Sequence, residues 1–596
     1  MAGDYRADWL RVPVGEDATR WATRSDCHRV LAIVHNVTSA TRLLDVLPLF
    51  RDDLRIQLLA TCTGSSPFQS GVAELLATLG VPVLPWEQAL STPVSLALSA
   101  SLGGELGSVP GPVVVLSHGV GYNKRLATPD TGHRTPDTGH RTPDTGHRTP
   151  DTGHRTPDTG PVFGMSPEWL LADGEPVAAR LVLSHPEQLA RLRRYCPQAA
   201  PRAVLAGDPC FDRLLKARPN RERYRRALGV RPGQRLVVLN STWNAESLFG
   251  DGEQPHLLGA LLDRLTSELP VDDYRLAAVL HPNIWHGHGP GQVRAWLDRA
   301  QRCGLTLIDP TEDWRQALVA ADAVIGDFGS VSYYAAAIGV PVLMAAPGAD
   351  RLDADSPVAE FVRTAPPLDL GRPLAAQLAD VIAGHRPHPS LAEQASSAPG
   401  RSAALLRRTF YDLIRIPEPD RPAALEPLPL PPYRPARPLI PLLVRTGRQP
   451  DGTVLLRRHV DPAAPATGYD SSHLAVHEDT LETHALEIAD LVFRDGSPDD
   501  PRLGGPARWT AELLRARPHV TLAVFVTGPD SCVLRVRAGQ LLDVRTAPHT
   551  ADPLACASAL LGWLADGGSV RKLAADGLWL CSGGQRHRAE VTPLEG

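Results

Sequence analysis

"ADAVIGDFGSVSYYAAAIGVPVL", residues 321–343, passes from an apolar run through a turn of small residues into a helical pattern, and after a glycine returns to an apolar run. Neither run alternates apolar with polar residues, so each reads as a strand buried on both faces, the pattern of a parallel sheet covered by helices. Strand, helix and strand in this order form a crossover unit. Three further runs of the same kind precede it, "QRLVVLNSTW" (234–243), "YRLAAVLHP" (274–282) and "LTLIDP" (305–310). An earlier series comprises "RVLAIVHN" (29–36), "LRIQLLATC" (54–62), "GPVVVLSHG" (111–119), "ARLVLSHPEQLARLRRY" (179–195) and "RAVLAGDP" (202–209).

Two such series predict an α/β fold with two Rossmann-like domains, at 28–232 and 233–415, after an N-terminal tail at 1–27. The boundary lies near "RERYRRALGVRPGQ" (221–234), where a helix ends in glycine and a Pro-Gly turn precedes the next strand. Residues 416–441 are rich in proline and read as a semi-rigid linker. Beyond them, 442–596 carries closely spaced strands, a helix at "DPLACASALLGWLADG" read as amphipathic and a hairpin at "GLWLCSGGQRHRAEVTPL", and an appended antiparallel α+β domain is expected.

Residues 128–160 repeat the phrase TPDTGHR four times and begin a fifth. A heptad of a coiled coil needs two apolar positions and this phrase has none, while each copy carries a helix-breaking proline and glycine. A solvated, disordered loop inserted in the first domain is expected. Its His133, His140, His147 and His154 have no supporting shell, and no metal site is expected there. His281, His286 and His288 in "HPNIWHGHG" lack carboxylate or cysteine companions and read as a polar loop rather than a metal centre.

The chain of 596 residues is 43% hydrophobic and 21% charged, with net charge -5, which gives no basic excess for nucleic acid. Its eight cysteines show no CxxC spacing and read as reduced thiols of a cytoplasmic protein. "MAGDYRADWLRVPVGEDATRW" lacks the basic start and apolar run of a signal peptide, and no run approaches the roughly 20 apolar residues that span a bilayer. Short arginine clusters at 191–195 and 221–229 leave peripheral contact with the inner face of the cell membrane open.

Ligands of open α/β sheets bind beyond the carboxyl ends of the strands. There stand His35, His118, His185, His281 and Asp327. With His118-Gly119, Gly207, Pro209 and Asp212, Thr242-Trp243, His281-Pro282, and Asp327 with Ser330, residues 28–415 resemble the CDP-glycerol glycerophosphotransferase family, enzymes of teichoic-acid synthesis with the GT-B fold. The chain departs from the family pattern at Val120–Asn123, at Ser241, and at Gly326, Phe328 and Gly329.

The resemblance implies a nucleotide-diphosphate donor such as CDP-glycerol, a polyol, sugar or lipid-linked acceptor, and no cofactor. His118 is then the expected general base and His281 the residue that stabilises the leaving phosphate. Thr242, Trp243, Asp327, Ser330 and Ser332 are expected on the donor, the free N–H groups and hydroxyls of the helix after "GDFG" holding its diphosphate and Asp327 accepting from backbone or ribose. Asn123, His35 and His185 are expected on the acceptor side. A UDP-sugar 2-epimerase-like enzyme and a catalytically degenerate nucleotide or partner binder are the alternatives.

Overall fold

A computed structural model describes residues 9–15, 18–117, 119–125, 160–252, 254–435, 437–461 and 468–595. His118 and the repeat up to residue 159 lie outside the described residues. The chain divides into two compact units. One comprises Met1–Asp212, Pro347–Thr364 and Pro389–Glu426, and the other Arg213–Ala346, Ala365–His388 and Pro427–Gly596.

The first unit holds a seven-stranded parallel sheet of β1 (His28–Val34), β2 (Ile56–Cys62), β3 (Val83–Leu84), β4 (Leu96–Ser99), β5 (Val113–Val115), β8 (Arg180–Leu183) and β9 (Ala203–Leu205), in the order β3-β2-β1-β4-β5-β8-β9. A small hairpin of β6 (Leu171–Ala172) and β7 (Glu175–Pro176) stands apart. Alternate residues of β1 enter different cores. Val30, Ala32 and Val34 pack with Phe410 and Tyr411, whereas Leu31 and Ile33 pack with Leu181 and Met165. Both faces are therefore buried, which is why the strands read as unbroken apolar runs.

The second unit contains a parallel sheet of β10 (Arg235–Ser241), β11 (Tyr274–Leu280), β12 (Thr306–Ile308), β13 (Ala323–Asp327) and β14 (Val342–Ala346), in the order β12-β11-β10-β13-β14. Both sheets thus contain the 3-2-1-4-5 order of a Rossmann-like fold. The helix Trp314–Ala320, bounded by Asp313, is buried all round.

The remainder of this unit corrects the α+β expectation. Strands β15 (Leu442–Arg448), β16 (Val454–His459), β17 (Ser471–His477), β18 (Leu491–Asp495), β19 (Leu522–Gly528), β20 (Ser531–Val536), β21 (Leu541–Thr546), β22 (Leu578–Ser582) and β23 (Gln585–Leu594) close into a barrel in the order β15-β16-β22-β23-β21-β20-β19-β18-β17. Pairings β16–β22, β17–β18 and β18–β19 are parallel and the others antiparallel. The helix Pro553–Ala565 is not amphipathic on a sheet face. It is buried from Pro553 through Trp563 and packs against strands around the barrel, sharing its core with Leu442, Val444, Leu522, Val524, Leu534, Leu542, Leu578 and Leu580. Small side chains let it fit, since a Cβ at Gly562 would lie 2.7 Å from Thr446 Oγ1. Outside, the helix Pro506–Ala516 covers β19 through Trp509 and Leu513 against Phe525 and Ala523.

Arg458 joins barrel and sheet. It is 3% exposed. Its Nη2 donates to Asp272 Oδ1 at 2.8 Å and to Asp552 Oδ2 at 2.7 Å, and its backbone N–H donates to Asp272 Oδ2 at 2.8 Å. Asp272 precedes β11, and Asp552 is the N-cap of the barrel's inner helix, accepting from Leu554 N at 3.0 Å. Part of the proline-rich segment forms a strap over the same unit. Leu428 O accepts from Tyr224 Oη, Pro429 O from Gln316 Nε2, and Arg434 donates to Asp313 at 2.9 Å. No helix among the described residues is long and apolar enough to cross a membrane.

Two outcomes are expected. Arg458→Met leaves the buried Asp272 without its guanidinium, with the half-buried Asp552 losing the same partner, and is expected to cost about 3–5 kcal/mol in chemical denaturation. Burial pushes the His473 imidazole down to about 4. Below the unfolded value of about 6.5 the unfolded chain takes up a proton that the folded chain refuses, so the stability present above that value is lost as pH falls toward 4. Relative to His473→Leu, the wild type is expected to lose about 3 kcal/mol between pH 7 and 4, read from denaturant midpoints.

Candidate functional site

In the second sheet, β10 leads outward to β11 and β12 before the chain returns to β13 beside β10, so the topological switch point lies between the carboxyl ends of β10 and β13. Asp327 ends β13 there and is fully buried. Its Oδ2 accepts from Thr242 N at 2.8 Å, Ser241 Oγ at 3.2 Å and Leu248 N at 3.2 Å, while Oδ1 accepts from Gly329 N at 3.0 Å. One carboxylate thereby ties the loop after β10 to the turn before the helix Ser330–Ala337. The pairing of β13 with β14 slips at Gly326/Asp327, a local irregularity that re-aims the strand end.

Gly329 caps that helix with no side-chain bond to its first turn, and Ser330 is its first residue, half-buried. Ser332 takes another course. It is fully buried and its Oγ accepts from Asn240 Nδ2 at 2.9 Å. Two residues apart on a helix do not share a face, so Ser330 and Ser332 do not converge on one ligand. This packing leaves little room for a side chain at two positions of the turn. A Cβ at 326 would stand 2.3 Å from Ser332 Oγ, and one at 329 would stand 2.9 Å from Thr242 Cβ.

His281 follows β11, and its Nδ1 accepts from Asn283 N at 3.1 Å, capping the helix Pro282–His288. That bond leaves the proton of the neutral ring on Nε2. The Trp243 ring lies 6.4 Å from it, centroid to centroid. Trp243 packs on Leu280, Ile284 and Trp285. The segment read as a polar loop is thus a helix, with His288 edge-on to Trp296 at 4.9 Å.

The first unit repeats the His-Pro device. His185 Nδ1 accepts from Glu187 N at 3.2 Å and caps the helix Pro186–Tyr195, and burial lowers its pKa. His35 sits at the switch point between β1 and β4, is 1% exposed, and donates through Nε2 to Gly103 O at 2.5 Å. Burial lowers its pKa. Asn123 is buried, its Nδ2 donating to Gly121 O at 3.0 Å. Gly207, Pro209 and Asp212 build the helix Pro209–Ala217 and its surroundings. Asp208 accepts from Cys210 N at 2.8 Å, and Asp212 accepts from Gly400 N at 2.7 Å and from Ser402 N at 3.0 Å.

Several residues at these edges carry no signal that singles them out in sequence. A cavity of about 30 Å³ in the first unit is lined by Ser117, Gly119, Ser184 and Asp208 with Arg42 and Asp45 from the helix after β1. In the second unit, Ser241 and the backbone of Leu248 complete the hold on Asp327. The polar pair Asn240-Ser241 at the end of an apolar strand was the visible clue.

No family model and no curated protein matches the chain in sequence. Among solved structures it is similar to the wall teichoic acid polymerase TagF, with 15% identity over 65% of this chain and 90% of that one, at a TM-score of 0.42. It is also similar to the UDP-GlcNAc 2-epimerase of Methanocaldococcus jannaschii, with 10% identity over 64% of this chain and all of that one, at 0.40, and to that of Neisseria meningitidis, with 10% identity over the same shares, at 0.38.

The packing of Gly326 against Ser332 is testable. Gly326→Ala is expected to destabilise the chain by about 1–3 kcal/mol through overpacking. Ser332→Ala removes the obstructing hydroxyl. Denaturation of the two single variants and the double variant is expected to show less than additive losses, by about 0.5–3 kcal/mol.

Proposed function

We propose that the chain is a transferase of GT-B type that binds a nucleotide-diphosphate donor at the carboxyl edge of β10–β13 and passes a glycerophosphoryl or glycosyl group to a hydroxyl. The observation that carries this reading is the helix Ser330–Ala337, which starts at the switch point behind the glycine N-cap Gly329. Its N–H groups and the Ser330 hydroxyl suit a diphosphate, whose negative charge complements the helix dipole. Asp327 serves this site through the backbone it holds, not by touching phosphate.

In the glycerophosphoryl case the acceptor oxygen bonds to the phosphorus that carries the glycerol, the diphosphate P–O bond breaks, and a nucleoside monophosphate leaves. His281 donates through Nε2–H to the leaving phosphate, where negative charge grows. Trp243 and Thr242 bound the donor beside it. His118, from its place in the sequence, takes the proton of the acceptor hydroxyl. His185 and Asn123 belong to the acceptor half, whose natural substrate is a cell-envelope polyol, sugar or lipid-linked sugar reached from the cytoplasmic face. An epimerase needs carboxylates free for proton transfer at carbon, and Asp327 at this edge is already engaged by backbone donors.

Thermal unfolding with CDP-glycerol, UDP-GlcNAc and a GDP-sugar tests the reading. One of them at 100 times its Kd is expected to stabilise the wild type by about 2.7 kcal/mol, and His281→Ala to lose most of that response. No response to any of the three sinks the proposal. His118→Ala is expected to keep donor binding and lose turnover by about 10²–10⁴-fold.

A further inference from the structure

Asp353 is fully buried on the segment Pro347–Thr364, which leaves β14 of the second sheet and belongs to the first unit. Its Oδ1 accepts from Arg125 Nη2 at 3.2 Å and Tyr195 Oη at 2.9 Å, and its Oδ2 from Arg191 Nη1 at 3.1 Å. Its backbone N–H donates to Asn123 O at 2.7 Å. Arg191, itself 5% exposed, also donates to Tyr122 O at 2.5 Å and to Glu187 at 2.8 Å. The charges of Asp353, Glu187, Arg125 and Arg191 balance, as buried ions require.

These partners come from two places. Tyr122, Asn123 and Arg125 lie on the loop that leaves β5. Arg191, Tyr195 and Glu187 lie on the helix that His185 caps. Through Arg125 the cluster reaches the far side of the repeat, since Arg125 Nη1 donates to Gly160 O at 2.8 Å and Phe163 N donates to Lys124 O at 2.9 Å. Single antiparallel bridges join Arg125 to Val162 and Lys124 to Leu352.

We infer that Asp353 is a positioning residue for the acceptor half. It fixes the course of the loop leaving β5 from Tyr122 onward and clamps together the two chain ends between which the repeat is inserted. The role in transfer rests on the proposed function, because it assigns the β5 loop to the acceptor. The clamp itself does not.

The test is Asp353→Asn, which keeps the shape and removes the charge, compared with Asp53→Asn, a carboxylate of the same unit that holds Arg55 and Tyr411 away from these residues. Amide hydrogen exchange is expected to quicken at Arg125 and Phe163 in Asp353→Asn by at least about tenfold and to stay unchanged there in Asp53→Asn. In transfer assays, kcat/KM for the acceptor is expected to fall by at least about tenfold while the thermal response to the donor is retained. Unchanged exchange at Arg125 and Phe163 overturns the clamp. Faster exchange with an unchanged kcat/KM, or an equal loss in Asp53→Asn, overturns the positioning role. A wild type with no transfer activity counts against the proposed function, and the exchange comparison still decides the clamp. Should Asp353→Asn not fold, Arg125→Ala, which removes the bonds to Asp353 and Gly160, gives the same exchange test.

Discussion

The carboxylate of Asp327 is the constraint on which the candidate site depends. A buried carboxylate is costly unless hydrogen-bond donors surround it, and a charged acceptor strengthens each such bond. Here the donors are the backbone N–H groups of Thr242, Leu248 and Gly329 with the Ser241 hydroxyl. Satisfying the carboxylate therefore fixes two loops at once, the one that presents Thr242 and Trp243 and the one that starts the helix at Ser330. Close packing around it then restricts positions 326 and 329 to glycine, and Ser332 becomes part of the scaffold.

Much of this was legible in the sequence. Unbroken apolar runs with a polar residue after each located both parallel sheets and placed His281, His185 and Asp327 at strand ends, because burial on both faces leaves a direct mark on composition. His35 carried the same local signature, yet its partner Gly103 lies 68 residues away, and only that pairing separates a buried tie from a binding residue. Ser332, expected on the donor, is buried with its hydroxyl accepting from Asn240. Its spacing from Ser330 already places it on another face, a geometric signal that composition alone conceals.

The barrel was the least legible part. Its closure depends on pairings between distant segments, such as Val454 with Leu580. Hairpins reveal themselves through their turns, whereas parallel neighbours such as β17 and β18 leave no local trace of their register. The inner helix did leave one, in "PLACASALLGWLA", which is apolar or small on every side and so has no solvent face to offer. Arg458 then ties barrel to sheet, because a single guanidinium serves the sheet's loop and the inner helix's cap.

The bridge between Arg125 and Val162 has an evolutionary consequence. A tandem run of seven-codon units in a gene gains and loses copies readily, and most such changes in a folded domain would be purged for the strain they impose. In general, where the ends of an inserted segment are pinned beside one another, doubling the length of a flexible connection adds only about 0.6 kcal/mol of closure entropy. Lineages of this protein are expected to differ in the count of TPDTGHR units while keeping Asp353, Arg191 and Arg125 unchanged.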